Sequence, residues 1–201
     1  MEEMAEELAG AGVATLRFNF PYMEQRRKVP DRAPVPTEAV LAAVRAAAEA
    51  TPELPLFAGG KSYGGRMSSQ FAAHTLQGSV AGTSRGSAAA ETSLPKVRGL
   101  VFFGFPLHPP DQPSTKRAEH LARVKLPMLF LQGTRDKLAD LSLLRPICAK
   151  LGSRATLHII ETADHSFHVL KSSGKTDAEV LRELARTVGE WTDTIIRQES
   201  E

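Results

Sequence analysis

The stretch that decides the fold runs from Leu54 to Gln70 and reads LPLFAGGKSYGGRMSSQ. It opens with a short apolar run typical of a β-strand, Leu54–Ala58, and passes into a helical pattern, Gly65–Leu76. Between the two lies the segment GKSYG, residues 60–64, which matches the pattern G-x-S-x-G. A strand, a sharp turn and a helix in this order predict an α/β unit that presents the Ser62 hydroxyl above a sheet.

The residue types of this turn have a steric and an electrostatic reason. Glycine at Gly60 and Gly64 avoids collisions of side chains with the neighbouring strand and helix. The turn exposes the Ser62 oxygen and aims the Tyr63 backbone N–H at the point where an oxyanion would form. Two other interpretations are a plain helix cap at Ser62 and a phosphate-binding loop. The loop motif requires a glycine where Pro55 stands.

Strand-like and helical patterns alternate along most of the chain. The expected strands are Val13–Asn19, Leu54–Ala58, Val97–Gly104, Pro127–Gln132 and Ala155–Glu161. The expected helices are Glu2–Ala11, Thr37–Ala50, Gly65–Leu76, Leu138–Leu151 and Asp177–Arg197. Because three of the strand runs are apolar on both faces, they suit a parallel sheet covered by helices. The pattern predicts an α/β fold with a doubly wound, mostly parallel sheet, in a single domain over residues 1–201.

Two segments interrupt the alternation, and one helix is marked clearly at its start. Tyr22–Pro36 is rich in proline and predicts a loop, and residues 77–95 form a Gly/Ser/Ala-rich insertion that we expect to be flexible. Thr176 and Glu179 have the spacing of a capping box at the start of the last helix.

A base and an orienting acid for Ser62 are found where an α/β sheet would place them. Asp136 follows the fourth predicted strand and His165 follows the fifth, so the chain order is serine, acid, histidine. Such a triad turns a weak hydroxyl into a nucleophile. Asp140 is the alternative acid. His165 and His168 also form H-x-x-H, but no third ligand with metal-site spacing accompanies them, and we expect no metal.

Three further residues have weaker signals. His108 and Phe105 follow a strand end, and both are candidate pocket residues, although a plain loop position suits His108 equally well. Cys148 shares the apolar face of its helix with leucines and is expected in the core.

Composition sets limits on the class of protein. The chain has 201 residues, 25 Lys and Arg against 23 Asp and Glu, and 42% hydrophobic residues, which are ordinary globular values. The charges are interspersed, so no basic stripe favours nucleic-acid binding. A single cysteine excludes an internal disulfide. No apolar run approaches the ~18 residues of a membrane span and no signal peptide is evident, so we expect a cytoplasmic protein without membrane contact.

With these residues in view, the chain resembles a small α/β-hydrolase of the dienelactone-hydrolase-like kind. More narrowly, it resembles the hydrolase-like family that contains testis-expressed protein 30 and a subunit of the NSL histone-acetyltransferase complex. The stretches that carry the resemblance are residues 16–32, 59–70, 99–110, 129–136 and 163–171. The resemblance implies a Ser62–Asp136–His165 triad and hydrolysis of an ester or related acyl compound without a cofactor. Some members of the family are protein-interaction modules.

The chain departs from this family at its N-terminus. In the family, a strand lies between those that correspond here to Val13–Asn19 and Leu54–Ala58, and a glycine-rich loop gives a second oxyanion donor. The resemblance therefore implies a gap near the centre of the sheet and the loss of a donor worth ~10²–10³ in kcat. Either the reading frame starts further upstream, with Met1 as an internal methionine, or the activity of this version is impaired; we expect the former.

The sequence thus predicts a serine hydrolase acting on a small acyl substrate, with Ser62 as nucleophile, His165 as base and Asp136 as its orienting acid. The alternative is a non-catalytic scaffold of the same fold that binds a protein partner.

Overall fold

The centre of the molecule is a four-stranded parallel sheet with the strand order β1-β2-β3-β4. The computed structural model describes residues 1–78 and 94–198 of the chain. The strands are β1 (Leu56–Lys61), β2 (Val97–Phe103), β3 (Met128–Gly133) and β4 (Ala155–Ile160). Because the strands are parallel, their carboxyl ends meet at one edge of the sheet.

Helices precede, separate and follow the strands along the chain. They are α1 (Glu2–Gly10), α2 (Pro21–Glu24), α3 (Val35–Ala50), α4 (Tyr63–Gly78), α5 (Leu141–Leu151) and α6 (Asp177–Gln198). A 3₁₀ helix, Lys116–Arg123, links β2 to β3. The short helix α2 overlaps the start of the segment predicted as a loop, Tyr22–Pro36.

Helices cover both faces of the sheet. One apolar cluster packs α3, α4 and α5 against the side of β2 that carries Leu100 and Phe102. A second cluster packs α1 and α6 against the side that carries Val101 and Phe103. Successive side chains of a strand point to opposite faces, so β2 contributes alternately to the two cores. The doubly wound parallel sheet predicted from the sequence is confirmed.

The prediction of a strand at Val13–Asn19 is wrong. This segment has no strand assignment, and its residues after Val13 are exposed, among them Leu16 and Phe18 at 47% and 40%. A strand exists only through pairing, and within the described residues β1 pairs with β2 alone. A β-branched, alternating pattern can be read from a sequence, but the neighbour that would satisfy its backbone groups cannot.

The predicted capping box at the start of α6 is confirmed. Thr176 Oγ1 accepts from the Glu179 N–H at 3.2 Å, and the Glu179 carboxylate accepts from the Thr176 N–H at 2.7 Å. Of the predicted insertion at 77–95, residues 79–93 lie outside the described residues. No helix in the described ranges is both long and apolar enough to cross a lipid bilayer.

Candidate active site

Ser62 occupies the turn between β1 and α4, at the carboxyl edge of the sheet. Its φ angle is +52°, in the left-handed region that a non-glycine residue rarely adopts. The Ser62 N–H donates to the Phe103 carbonyl at 3.0 Å, which ties the turn to the end of β2. Tyr63 begins α4, where backbone N–H groups have no partner within the helix. The strained serine and the free N–H of the next residue have the geometry of a nucleophile elbow.

Glycines allow the close approach of strand and helix at this turn. A Cβ on Gly60, whose φ is +154°, would lie 3.2 Å from the Gly64 carbonyl carbon. A Cβ on Gly65 would lie 2.6 Å from the Gly60 oxygen, too close for any side chain. Gly64 itself has room, since its nearest neighbour is the Phe20 ring at 3.9 Å. The tight contact expected at Gly64 is therefore made by Gly65.

Asp136 lies after β3 with its carboxylate fully buried. Its Oδ1 accepts from the Leu138 N–H at 2.8 Å. Its Oδ2 accepts from Gln132 Nε2 at 2.5 Å and from His165 Nδ1 at 2.7 Å. Three donors therefore surround this one buried carboxylate.

His165 lies on the loop after β4, and its bond to Asp136 decides its tautomer. An ionised carboxylate only accepts hydrogen bonds, so Nδ1 carries the proton and Nε2 carries a lone pair. Nε2 is buried and has no hydrogen-bond partner among the described residues. The structure thus places an oriented imidazole with a free basic nitrogen at this edge of the sheet.

The loop that carries His165 is locked onto the loop after β3. The Thr162 N–H donates to Thr134 Oγ1, and the Arg135 N–H donates to the Ala163 carbonyl, both at 2.8 Å. A Cβ on Gly133 would lie 2.3 Å from that same carbonyl oxygen, so only glycine permits this approach. These contacts fix the positions from which the acid and the histidine project.

Ser62 and His165 flank the end of β2, but they are not hydrogen-bonded to each other. Ser62 binds the Phe103 carbonyl, and a Cβ on the next residue, Gly104, would lie 3.2 Å from His165 Cε1. The Ser62 hydroxyl has no hydrogen-bond partner in the described chain. Bonds between nucleophile and base are often long without substrate and tighten when it binds.

The remaining acid and histidine candidates have other partners. Asp140 caps α5 by accepting from the Ser142 N–H at 2.8 Å, so its carboxylate is engaged away from His165. His168 Nδ1 binds the exposed Asp177 carboxylate at 2.7 Å, and this bond raises the pKa of His168. Over residues 1–78 and 94–198, no cluster of His, Cys, Asp and Glu is arranged to hold a metal ion.

The two candidate pocket residues are buried. Both ring nitrogens of His108 bind the protein, Nδ1 at the Pro109 carbonyl and Nε2 at the Asp140 N–H, so it joins the loops after β2 and β3. Phe105 is 1% exposed and packs edge-on against Phe102 and Phe130. Cys148 is buried in the core, and burial raises its pKa to about 11.

Two further residues, Gln132 and Gly104, contribute to the site and were not predicted from the sequence. Gln132, the buried last side chain of an apolar strand, donates to Asp136. The sequence did contain a signal for Gln132, since a polar amide at the end of an apolar strand needs a hydrogen-bond partner. Gly104 has a φ of +68° and leaves room for the His165 ring. Nothing in the sequence distinguishes it from a glycine of an ordinary loop.

His120 is a half-buried base on the 3₁₀ helix beside α4. Its Nε2 lies 2.7 Å from Ser69 Oγ, and the Ser69 hydroxyl donates to the Arg66 carbonyl, so Nε2 must be the donor. Burial, followed by the nearby charges of Arg66 and Arg123, lowers the pKa of His120 from 6.5 to about 4.

This lowered pKa predicts acid destabilisation. Between pH 6.5 and about 4 the unfolded chain takes up a proton that folded His120 does not, so the free energy of unfolding falls as the pH falls. His120→Gln keeps a donor for Ser69 and removes the titration. We expect the wild type to lose about 1–2 kcal/mol more than the variant across this window, measured by urea denaturation. Parallel pH profiles would contradict the assignment.

Comparison with known proteins agrees with this architecture. A family profile described as "Alpha/beta hydrolase domain" matches residues 1–193. An α/β serine hydrolase homologue from Coxiella burnetii superposes with a TM-score of 0.62 at 20% identity, covering 92% of this chain and 75% of that one. An α/β serine hydrolase without a lid from Xanthomonas campestris gives a TM-score of 0.66 at 18% identity, covering 94% and 72%.

A third solved structure, the esterase domain of a Rhodothermus marinus protein, gives a TM-score of 0.59 at 17% identity and covers 94% of this chain and 78% of that one. At these identities the solved structures show a shared fold, whereas the family profile spans nearly the whole sequence. The chain therefore belongs to the alpha/beta hydrolase family.

Proposed function

We propose that this protein is a serine hydrolase that cleaves a carboxylic ester or a related acyl bond. The observation that carries the proposal is the bond of 2.7 Å between buried Asp136 and half-buried His165, whose buried Nε2 has no partner in the described chain. It lies at the sheet edge where the Ser62 turn projects. Within the alpha/beta hydrolase family, we place the chain with the dienelactone-hydrolase-like members and with the relatives of testis-expressed protein 30.

The reaction follows from the hydrogen-bonding roles of these groups. Ser62 Oγ attacks the acyl carbonyl carbon while His165 Nε2 takes the hydroxyl proton. Asp136 holds Nδ1–H and stabilises the imidazolium, and the Tyr63 N–H donates to the oxyanion. The tetrahedral intermediate collapses, the bond to the leaving alcohol breaks, and His165 returns the proton to that alcohol. A water molecule then repeats the sequence on the acyl-enzyme, which releases the acid and restores Ser62.

The test is turnover of short acyl esters. We expect 4-nitrophenyl acetate and butyrate to be hydrolysed with an initial burst of nitrophenol, because an acyl-enzyme accumulates when its hydrolysis is slower than its formation. Rates no higher than those of buffer, for a folded protein and across several acyl lengths, would contradict the proposal. Stoichiometric capture of a protein partner by such an inactive protein would favour the scaffold alternative.

Gly104 provides a test of how closely His165 must be positioned. A methyl group at Gly104 would lie 3.2 Å from both Cε1 and Nδ1 of the imidazole, and 3.4 Å from Asp136 Oδ2. We expect Gly104→Ala to lower kcat for ester hydrolysis by about 10²-fold, since small displacements of a catalytic group have effects of this size.

Gly174→Ala is the matched control for this substitution. Its φ of +72° is close to the +68° of Gly104, but nothing lies within 4 Å of its Cβ position. Both variants should lose about 1 kcal/mol of stability through the left-handed backbone. Only the first should lose activity, and equal kcat values for the two variants would show that the ring tolerates the contact.

A further inference from the structure

Arg66 is anchored close to the candidate nucleophile. It lies on the first turn of α4, and its backbone N–H donates to the Ser62 carbonyl at 3.1 Å. An α-helix rises about 1.5 Å per residue, so the two Cα atoms are separated by about 6 Å along the helix axis. The Arg66 side chain therefore starts about one helical turn from Ser62.

The Arg66 side chain lacks a partner that other arginines of the chain have. Its Nε is buried and makes no hydrogen bond with any described residue. Arg27 and Arg186, in contrast, bind carboxylates four residues further on at 2.6 and 2.9 Å. A buried charged donor without an acceptor is unfavourable, so Nε requires an acceptor that the described residues do not supply.

The charged group that acts most strongly on Arg66 is another cation, Arg117. Burial and the charge of Arg117, on the adjacent 3₁₀ helix, lower the pKa of Arg66. Neither arginine forms an ion pair with a carboxylate among the residues that the structure describes. The neighbouring His120 does not supply an anion to the two arginines. Its Nε2 is bonded to Ser69, and its ring is neutral at pH 7 because its pKa is about 4. Two neighbouring guanidinium groups repel each other, and an anion bound between them would offset this repulsion.

We propose that Arg66 and Arg117 form an anion subsite beside Ser62, and that the preferred substrate is an acyl compound that carries a carboxylate or phosphate group. The inference rests on the proposed function and adds the substrate class to it. The planar guanidinium fork binds either oxyanion through two parallel hydrogen bonds. An anionic group on the substrate would satisfy the unpaired Nε and relieve the repulsion between the two arginines.

Turnover of two matched esters tests the subsite. Mono-4-nitrophenyl adipate and 4-nitrophenyl hexanoate have the same acyl length, but only the first carries a carboxylate. We expect the wild type to prefer the adipate ester. Arg66→Gln should raise the KM for the adipate ester about tenfold or more, and should change the KM for the hexanoate ester by less than about twofold. Arg66→Lys should recover part of the effect, because it restores the charge without the fork.

Arg123→Gln is the matched control, since it removes the same charge from the same surface. Arg123 lies at the end of the 3₁₀ helix and binds His74 at 3.1 Å. We expect it to leave the adipate preference unchanged. Equal kcat/KM for both esters in the wild type, or equal losses on both in Arg66→Gln, would overturn the subsite and leave the hydrolase proposal intact.

Binding to a Ser62→Ala protein separates the subsite from the chemistry. Calorimetry with adipate and with hexyl phosphate should show binding of at least one anion, and Arg66→Gln in the same background should abolish it. The tighter of the two identifies the anionic group. No binding of either anion would overturn the subsite even if esters are hydrolysed. Anion binding without any ester turnover would support the subsite and count against the hydrolase proposal.

Discussion

Replacement of Ser62 by alanine is expected to lower kcat for ester hydrolysis by about 10⁶-fold, the loss typical of a triad without its nucleophile. The fold should be unaffected, because the Ser62 hydroxyl makes no hydrogen bond in the described chain and alanine tolerates the left-handed turn about as well as serine. The measurement is kcat for 4-nitrophenyl butyrate together with a thermal melt of each protein.

Ser166→Ala serves as the control for this loss. Ser166 follows His165 directly, and its hydroxyl accepts from Lys61 Nζ at 3.3 Å, so it lies in the same part of the molecule. It has no role in the proposed chemistry, and its removal should change kcat by less than about threefold, as is usual for an exposed polar contact. Equal activity of Ser62→Ala and the wild type would assign any esterase activity to another group.

Replacement of Asp136 by asparagine is expected to lower kcat by about 10⁴-fold, because the substitution selects the wrong tautomer of the histidine. Both carboxylate oxygens accept hydrogen bonds, Oδ1 from Leu138 and Oδ2 from Gln132 and His165. An amide nitrogen at Oδ2 would face donors and force the His165 proton onto Nε2, which could then no longer accept a proton from Ser62. An amide nitrogen at Oδ1 would instead face the Leu138 N–H and leave two buried donors in conflict.

Asp140→Asn makes the same chemical change four residues further on. Asp140 caps α5, and asparagine is an equally good cap, so this variant should keep both its activity and its stability. Since Asp136→Asn also disturbs a buried network, kcat must be measured below its melting temperature, with the folded fraction checked by circular dichroism. An Asp136→Asn activity within tenfold of the wild type would exclude Asp136 as the orienting acid.

Most of the fold was predictable from local sequence patterns. The interior strands β2 and β3 are buried along both faces. A run of apolar residues bounded by glycine and proline predicts such a strand. The capping box of α6 is a local interaction and was equally predictable. The prediction of a strand at Val13–Asn19 was wrong because a strand depends on a partner elsewhere in the chain. Periodicity within seven residues does not reveal that partner.

The contact between Asp136 and His165 was predictable from chain order and from the positions of the strand ends. Asp136 and His165 meet because parallel strands deliver their following loops to one edge, which is a property of the topology. Gln132, Gly104 and Arg66 contribute through packing in three dimensions, as a buried donor, a space for an imidazole and an unpaired cation. None of these roles has a sequence motif, because each depends on which residues are neighbours in the folded structure.

The most direct test of the account is covalent labelling of the protein with a fluorophosphonate, read out by intact mass and by peptide mapping. The reagent phosphonylates a serine only when a base has activated it. We predict one adduct per chain, on the peptide that contains Ser62, with labelling lost in Ser62→Ala and strongly slowed in Asp136→Asn. No adduct on the folded protein, or an adduct on a different serine, would contradict the assignment of Ser62, His165 and Asp136 as one catalytic unit.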